Sequence, residues 1–140
     1  MSDEKFMKIA IKEALKGDYP FGAVIVKNEK VIAKSHNTAK NLDPTAHAEV
    51  NVTRNACKKL KSRHLEGCVL YTTCEPCPMC FIAAWWARIP KIVYGVEGNS
   101  VPEDEWKIDI NCKYLNEKSR NKIELKNGIL KEECLKLLKQ

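Results

Sequence analysis

The sequence predicts an α/β protein built in three layers, α-β-α, with helices on both faces of a central mixed sheet of about five strands. Three observations predict it. Segments of helical periodicity alternate with short apolar runs in the order helix, strand, strand, helix, strand, helix, strand, strand, helix. Several of the strand-like runs (FGAVIVK, CVLYTT, KIVYGV) are apolar almost throughout, as strands covered on both faces are. The 140 residues, 44% hydrophobic and 30% charged, carry no internal repeat, low-complexity tract or linker. The expectation is one domain over residues 1–140, large enough to bury a core without staples.

The elements follow in order. Met7, Ala10, Ile11, Ala14 and Leu15 recur at helical spacing after an acidic Ser2-Asp3-Glu4 start, and Gly17 supplies the stop. FGAVIVK and VIAKSHN read as two strands of a hairpin turned at NEK. The loop NLDPT ends in Thr45, expected to cap the helix TAHAEVNVTRNACKKLK, whose inner face carries Val50, Ala56 and Leu60. CVLYTT (68–73) is a buried strand running into CEPCPMC, and PMCFIAAWWARI an apolar helix expected to end at Pro90. KIVYGV is the next strand, EGNSVPEDEWKID a polar loop, and INCKYLNEK ambiguous. NKIELK and GILKEECLKLLKQ close the chain as strand and helix, with Leu130, Cys134, Leu137 and Leu138 on one side.

Composition excludes some classes. No apolar run approaches the roughly 20 residues of a membrane span, and MSDEKFMKIA has no apolar export region, so the expected compartment is cytoplasmic. Seven cysteines, an odd number, then read as reduced thiols, and clustered ones as metal-binding or catalytic before disulfides. The net charge of +6 is compatible with a nucleic-acid partner and decides nothing alone.

The chemistry concentrates in TTCEPCPMC (72–80) and in His47-Ala48-Glu49. Cys77 and Cys80, at the start of a helix, face the same way on adjacent turns, and the helix N-terminus favours thiolates there. His47, opening another helix, completes a three-ligand set that leaves the fourth position of Zn2+ open, the catalytic arrangement. Two thiolates and an imidazole make the ion a weak acid, so a nearby base must help ionise water, and Glu49 is placed to be that base. A structural four-ligand site recruiting Cys74 is the competing reading, but Cys74 falls at a strand end, before the turn that aligns the other two. A zinc finger fails because His36, His47 and His64 give no close pair.

H-x-E followed by P-C-x-x-C is recognised as the signature of zinc deaminases. With PFGAVIV (20–26), HN (36–37), DPTAHAEV (43–50), LYTTCEPCPMC (70–80) and WARIPKIVYG (86–95), about half the chain resembles the cytidine deaminase-like superfamily. The nearest branch holds bacterial guanine deaminases, cytosine deaminases and tRNA adenosine deaminases. The resemblance implies the cytidine deaminase-like fold, His47, Cys77 and Cys80 as zinc ligands, and Glu49 as proton shuttle in a hydrolytic deamination. It implies a substrate pocket involving Asn37 as a base-recognising amide, Phe21 as wall, and Ala48 beside the ligand. It also implies at least a dimer, so a homodimer is expected, with FIAAWWARI able to supply the contact.

The substrate divides the reading. CEPCPMC and the WAR after it resemble guanine deaminases, so a nucleobase or nucleoside substrate is favoured, guanine to xanthine first. The guanine enzymes grip the base with an acid after the last core strand, for which EDE (103–105) offers Glu103, Asp104 and Glu105, with Asp104 taken as the candidate, and Trp86 is a further pocket candidate. They also carry a longer C-terminal tail that closes a partner's pocket, whereas IELKNGILKEECLKLLKQ resembles the strand-plus-helix ending of tRNA adenosine deaminases. That alternative would use the basic strip RNACKKLKSRH (54–64) and Lys131, Lys136 and Lys139 on tRNA phosphates. Cytosine deaminase, and a catalytically silent zinc scaffold, complete the alternatives; an intact Glu49 argues against the last.

Overall fold

The computed structural model describes residues 2–102 and 106–139. Its elements are α1 (Ser2–Ala14), β1 (Gly22–Lys27), β2 (Lys30–His36), α2 (Ala48–Leu60), β3 (Cys68–Cys74), α3 (Pro78–Trp86), β4 (Lys91–Val96), α4 (Cys112–Lys118), β5 (Glu124–Lys126) and α5 (Lys131–Leu137). Asn28 and Glu29 take positive φ (50° and 62°), so a two-residue turn joins Lys27 to Lys30 across the hairpin with the twist the strands need. Register shifts between Ile25 and Val26, which leaves Ile32 as the extra residue of a bulge in β2.

The sheet order is β2-β1-β3-β4-β5. β1 is antiparallel to both neighbours, while β3, β4 and β5 run parallel, so the sheet is mixed as expected. Alternate side chains feed two cores. Ala23, Ile25, Leu70 and Ile92 pack with Val52 and Ala56 of α2, Phe81 and Ala84 of α3 and Cys112 of α4. Val24, Val26, Tyr71 and Val93 pack with Phe6, Met7 and Ala10 of α1 and Cys134 of α5. The three layers are thus α2/α3/α4, sheet, and α1/α5. Among the described residues no helix is long and apolar enough to cross a membrane.

Two glycines set how closely the second helical layer approaches. A Cβ on Gly22 would run into the Ala10 carbonyl and stand 2.5 Å from Ala14 N, so α1 lies backbone to backbone on β1. A Cβ on Gly95 would run into the Cys134 sulfur, so α5 is seated on β4.

Three expectations are corrected. Leu15 lies beyond α1 and is 62% exposed, while Phe6 fills the core position the periodicity missed. α3 ends at Trp86, before Pro90, because Arg88 turns the chain with φ 59°. The ambiguous INCKYLNEK contains α4, whose N-cap Asn111 accepts a hydrogen bond from Tyr114 N through its side chain.

Candidate metal centre and substrate pocket

Gly22 pairs with His36 and Ala23 with Thr72, so Phe21, Asn37 and Thr72 all reach the same end of the sheet. β3 finishes there too, and α3 begins after three intervening residues. His47 is the N-cap of α2 and Cys77 the N-cap of α3, each extended (φ −69°, ψ 158° and φ −66°, ψ 168°) and neither capping its helix with its side chain. Pro78 at the first position of α3, its φ preset for a helix, fixes where that helix starts. Thr45 does not cap α2 as expected: its hydroxyl donates to Asp43 Oδ1 at 2.6 Å inside the preceding loop.

Both sulfurs converge on one nitrogen of the imidazole. His47 Nδ1 lies 3.6 Å from Cys77 Sγ and 3.5 Å from Cys80 Sγ, with all three ligand atoms within 4.8 Å of one another. Tetrahedral zinc with Zn–S about 2.3 Å and Zn–N about 2.05 Å would separate nitrogen from sulfur by about 3.6 Å. The donor set therefore fits zinc in both softness and spacing. Cys77 is pulled down to about 4, first by the hydrogen bond from Cys80 and also by His47. Cys80, the donor of that bond and buried, is pushed up, and His47 is raised mainly by its bond with Cys77.

Glu49 sits in the first turn of α2, 6% exposed, and Thr72 Oγ1 donates to its Oε2 at 3.1 Å. Burial pushes its carboxyl up to about 7, the Cys77 charge adds to that, and its own backbone N–H, His47 and Thr72 pull against it. Cys74 is excluded from this group. It is buried with Phe6, Val96 and Cys134 under α1 and α5, and burial raises its thiol to about 12. Among the described residues the four-ligand structural site, three sulfurs and one nitrogen, is therefore not formed.

The remaining sequence candidates scatter. Asn37 is 5% exposed, and its Oδ1 accepts from Ala39 N at 2.9 Å, so the amide NH2 is the part left for a ligand. Phe21 is half-buried between the two cores, and Ala48 is fully buried beside His47. Trp86 is 69% exposed at the far end of α3, roughly 13 Å from Cys77 at 1.5 Å per residue, which removes it from a pocket within this chain. It instead stacks edge-on against Trp85, centroids 5.1 Å apart. Asp104 lies outside the described residues.

Three side chains that position the site went unread in the sequence. Thr72 carries the only signal, as one of the two threonines near the end of a largely apolar strand beside the cysteines. Glu75 accepts from Gly98 N at 2.9 Å and Cys112 N at 2.7 Å, pinning the loop after β4 and the start of α4 to the cysteine loop. Asn51, one turn after His47, donates to His36 O at 2.8 Å and Thr38 Oγ1 at 3.0 Å, holding the segment that carries Asn37.

Comparison with known proteins agrees with this geometry. Residues 1–96 match the family model described as the cytidine and deoxycytidylate deaminase zinc-binding region. A tRNA-specific adenosine deaminase of Bacillus subtilis is 40% identical over 94% of this chain and 83% of its own. A guanine deaminase of the same organism is 47% identical over 74% of this chain and 70% of its own. A solved structure from work on A-to-I editing by deaminases at the wobble position of transfer RNA superposes with a TM-score of 0.83 at 33% identity. It covers 96% of this chain and 99% of that one. Curated relatives matching this well are spanned over 66% to 83% of their own length.

Proposed function

The chain belongs to the cytidine and deoxycytidylate deaminase zinc-binding family, and within it we propose that the substrate is an adenosine of transfer RNA, deaminated hydrolytically to inosine. The closing strand and helix carry this reading. The tRNA-specific relative is 40% identical over 94% of the chain, whereas the 47% identity to the Bacillus subtilis guanine deaminase covers 74%, and a Nitrosomonas europaea guanine deaminase that spans 97% of the chain does so at only 25% identity. In keeping with that, α5 is spent on the chain's own sheet, with Cys134 buried against Gly95, and is not free to cross to another subunit.

Zinc held by His47, Cys77 and Cys80 would polarise a water and lower its pKa, leaving Glu49 to complete its ionisation. The rest is the work of the chain. Glu49, fixed by Thr72, accepts a proton from the attacking water on a carboxylate oxygen and delivers it to a ring nitrogen of adenine. The bond from water oxygen to C6 forms, Glu49 takes the remaining proton from that C6 hydroxyl and passes it to the amine, and the C6–N bond breaks to release ammonia as the C6 carbonyl forms. The Asn37 amide NH2 donates to an acceptor on the base, a contact that suits adenine and guanine equally.

Guanine remains the second reading because of the 47% identity to the Bacillus subtilis guanine deaminase. The test offers purified protein an RNA stem-loop with adenosine in its loop, and free guanine, cytosine and adenosine, with ammonia and inosine as readouts. Inosine in the RNA is expected, and Glu49→Gln should abolish it by 10²-fold or more while zinc stays bound. Ammonia from guanine with the RNA unaltered would replace this reading with the second.

A further inference from the structure

We propose that a basic groove between β2 and α2 docks the phosphate backbone of the RNA substrate, an inference that rests on the RNA reading above. The groove encloses about 420 Å³ and is walled by Lys34, Ser35 and His36 on one side and Arg54, Asn55 and Lys58 on the other. Arg54 and Lys58 stand four residues apart, one above the other on the same helix face. Among the described residues no carboxylate lines the groove, although Glu13 Oε1 pairs with Nδ1 of the lining His36 at 3.1 Å. Asp43 meets Arg54 Nη1 from the neighbouring loop at 3.5 Å, and the Arg54 side chain is more than half exposed. Asn55 Nδ2 donates to Ser35 Oγ at 3.0 Å, so the two walls are tied at a fixed separation.

Position is what separates these cations from an ordinary solvated helix face. Lys59, Lys61 and Arg63 belong to the same basic run in sequence, yet none of them lines the groove. At its near end the groove reaches Thr38 and Asn51, the pair that holds the Asn37 segment. α2 starts at the zinc ligand His47, so Arg54 and Lys58 lie about 10 and 16 Å along it from the site at 1.5 Å per residue. A stacked strand advances about 3.4 Å per nucleotide, which puts these cations three to five nucleotides from a base flipped into the pocket. A free base is too small to reach them. The groove therefore serves a polynucleotide, as positively charged channels beside single-stranded substrates do.

The test compares a Lys34→Gln/Arg54→Gln/Lys58→Gln triple variant with a Lys131→Gln/Lys136→Gln/Lys139→Gln variant of the closing helix, both checked for zinc content and thermal melting. Binding of the RNA stem-loop is followed against salt. The groove variant is expected to lose about two to three from the slope of log K against log salt, with KM raised at least tenfold and kcat retained. The closing-helix variant, whose lysines lie in the layer on the other face of the sheet from α2, is expected to lose less of the slope than the groove variant, and a larger loss there overturns the groove as the docking site. Should the triple fold poorly, Lys58→Gln alone is expected to lose about one from that slope. An unchanged slope and KM in the groove variants, with wild type deaminating RNA, overturns the docking site and leaves the RNA reading intact. Ammonia from free guanine alone removes the RNA reading first, and the groove with it.

Discussion

Cys74 and Cys80 are six residues apart and chemically identical, yet they have opposite fates. Cys80 turns toward His47 from the first turn of α3, whereas Cys74 is packed under α1 and α5 among Phe6, Val96 and Cys134. The repeat of one cysteine every third residue offered three ligands, and sequence spacing alone could not discard one. What discards it is the switch from strand to helix at Pro76–Pro78, which aligns only Cys77 and Cys80. His47 and Glu49 were legible because a histidine and an acid two apart, joined to the cysteine pair, have little structural use together. Thr72 and Asn51 were not, because threonine and asparagine fit ordinary strands and helices. The consequence is an asymmetric pair of substitutions. Cys80→Ser is expected to leave the purified protein with well under one zinc per chain. Cys74→Ser should keep its zinc and lose on the order of 1–2 kcal/mol of stability, the cost of a polar group in a packed core. Elemental analysis beside a thermal melt checks both, and zinc lost from Cys74→Ser would mean that Cys74 is a ligand after all.

Helix boundaries show where periodicity stops being informative. The apolar spacing of α5 and the hairpin were readable, and that of α1 was readable at Met7, Ala10 and Ala14 though not at Phe6 or Leu15. The start of α2 was misread at Thr45, since a hydroxyl before a helix usually caps it. Here the cap position passes to His47, whose ring is turned to the sulfurs and cannot cap. The end of α3 was misread at Pro90, since the left-handed turn at Arg88 leaves no mark in composition. Gly22 was visible only as part of an apolar strand, and its reason lies in another element. Because α1 crosses β1 with the Ala10 carbonyl where a Cβ would be, Gly22→Ala must push the helix off the sheet. Overpacking of this kind costs about 1–3 kcal/mol, and a backbone obstacle belongs at the upper end. At this chain length 3 kcal/mol corresponds to a fall in Tm of about 10 °C. Differential scanning calorimetry checks it, and a Tm within 2 °C or so of wild type would show that α1 does not sit so close.

The molecule as a whole is closed by contacts that no local pattern announces, and its substrate was hard to read for the same reason. The motifs that bind zinc are shared across the family, while the features that separate substrates lie in the chain ends and in surfaces assembled from distant segments. Asp3 is the clearest case of long-range closure. In the first turn of α1 it accepts from Tyr71 of β3 at 2.7 Å and pairs with Lys126 of β5 at 2.6 Å, joining the two ends of the chain across the sheet. Burial would raise its carboxyl, but the bonds from Lys126 and Tyr71 outweigh that and hold it below the usual aspartate range. A carboxyl depressed in the folded state binds its proton more readily when unfolded. Its contribution to stability is thus complete above the unfolded value of about 3.9 and lost as pH falls through the lower folded value. Asp3→Asn is therefore expected to melt lower than wild type at neutral pH, with the gap narrowing below about pH 4. Lys126 is half-exposed and salt screens it, so the gap should also shrink at high ionic strength. Thermal melts of both proteins from pH 7 to pH 3 make the comparison, and a gap independent of pH would mean that Asp3 acts through packing and not through its charge.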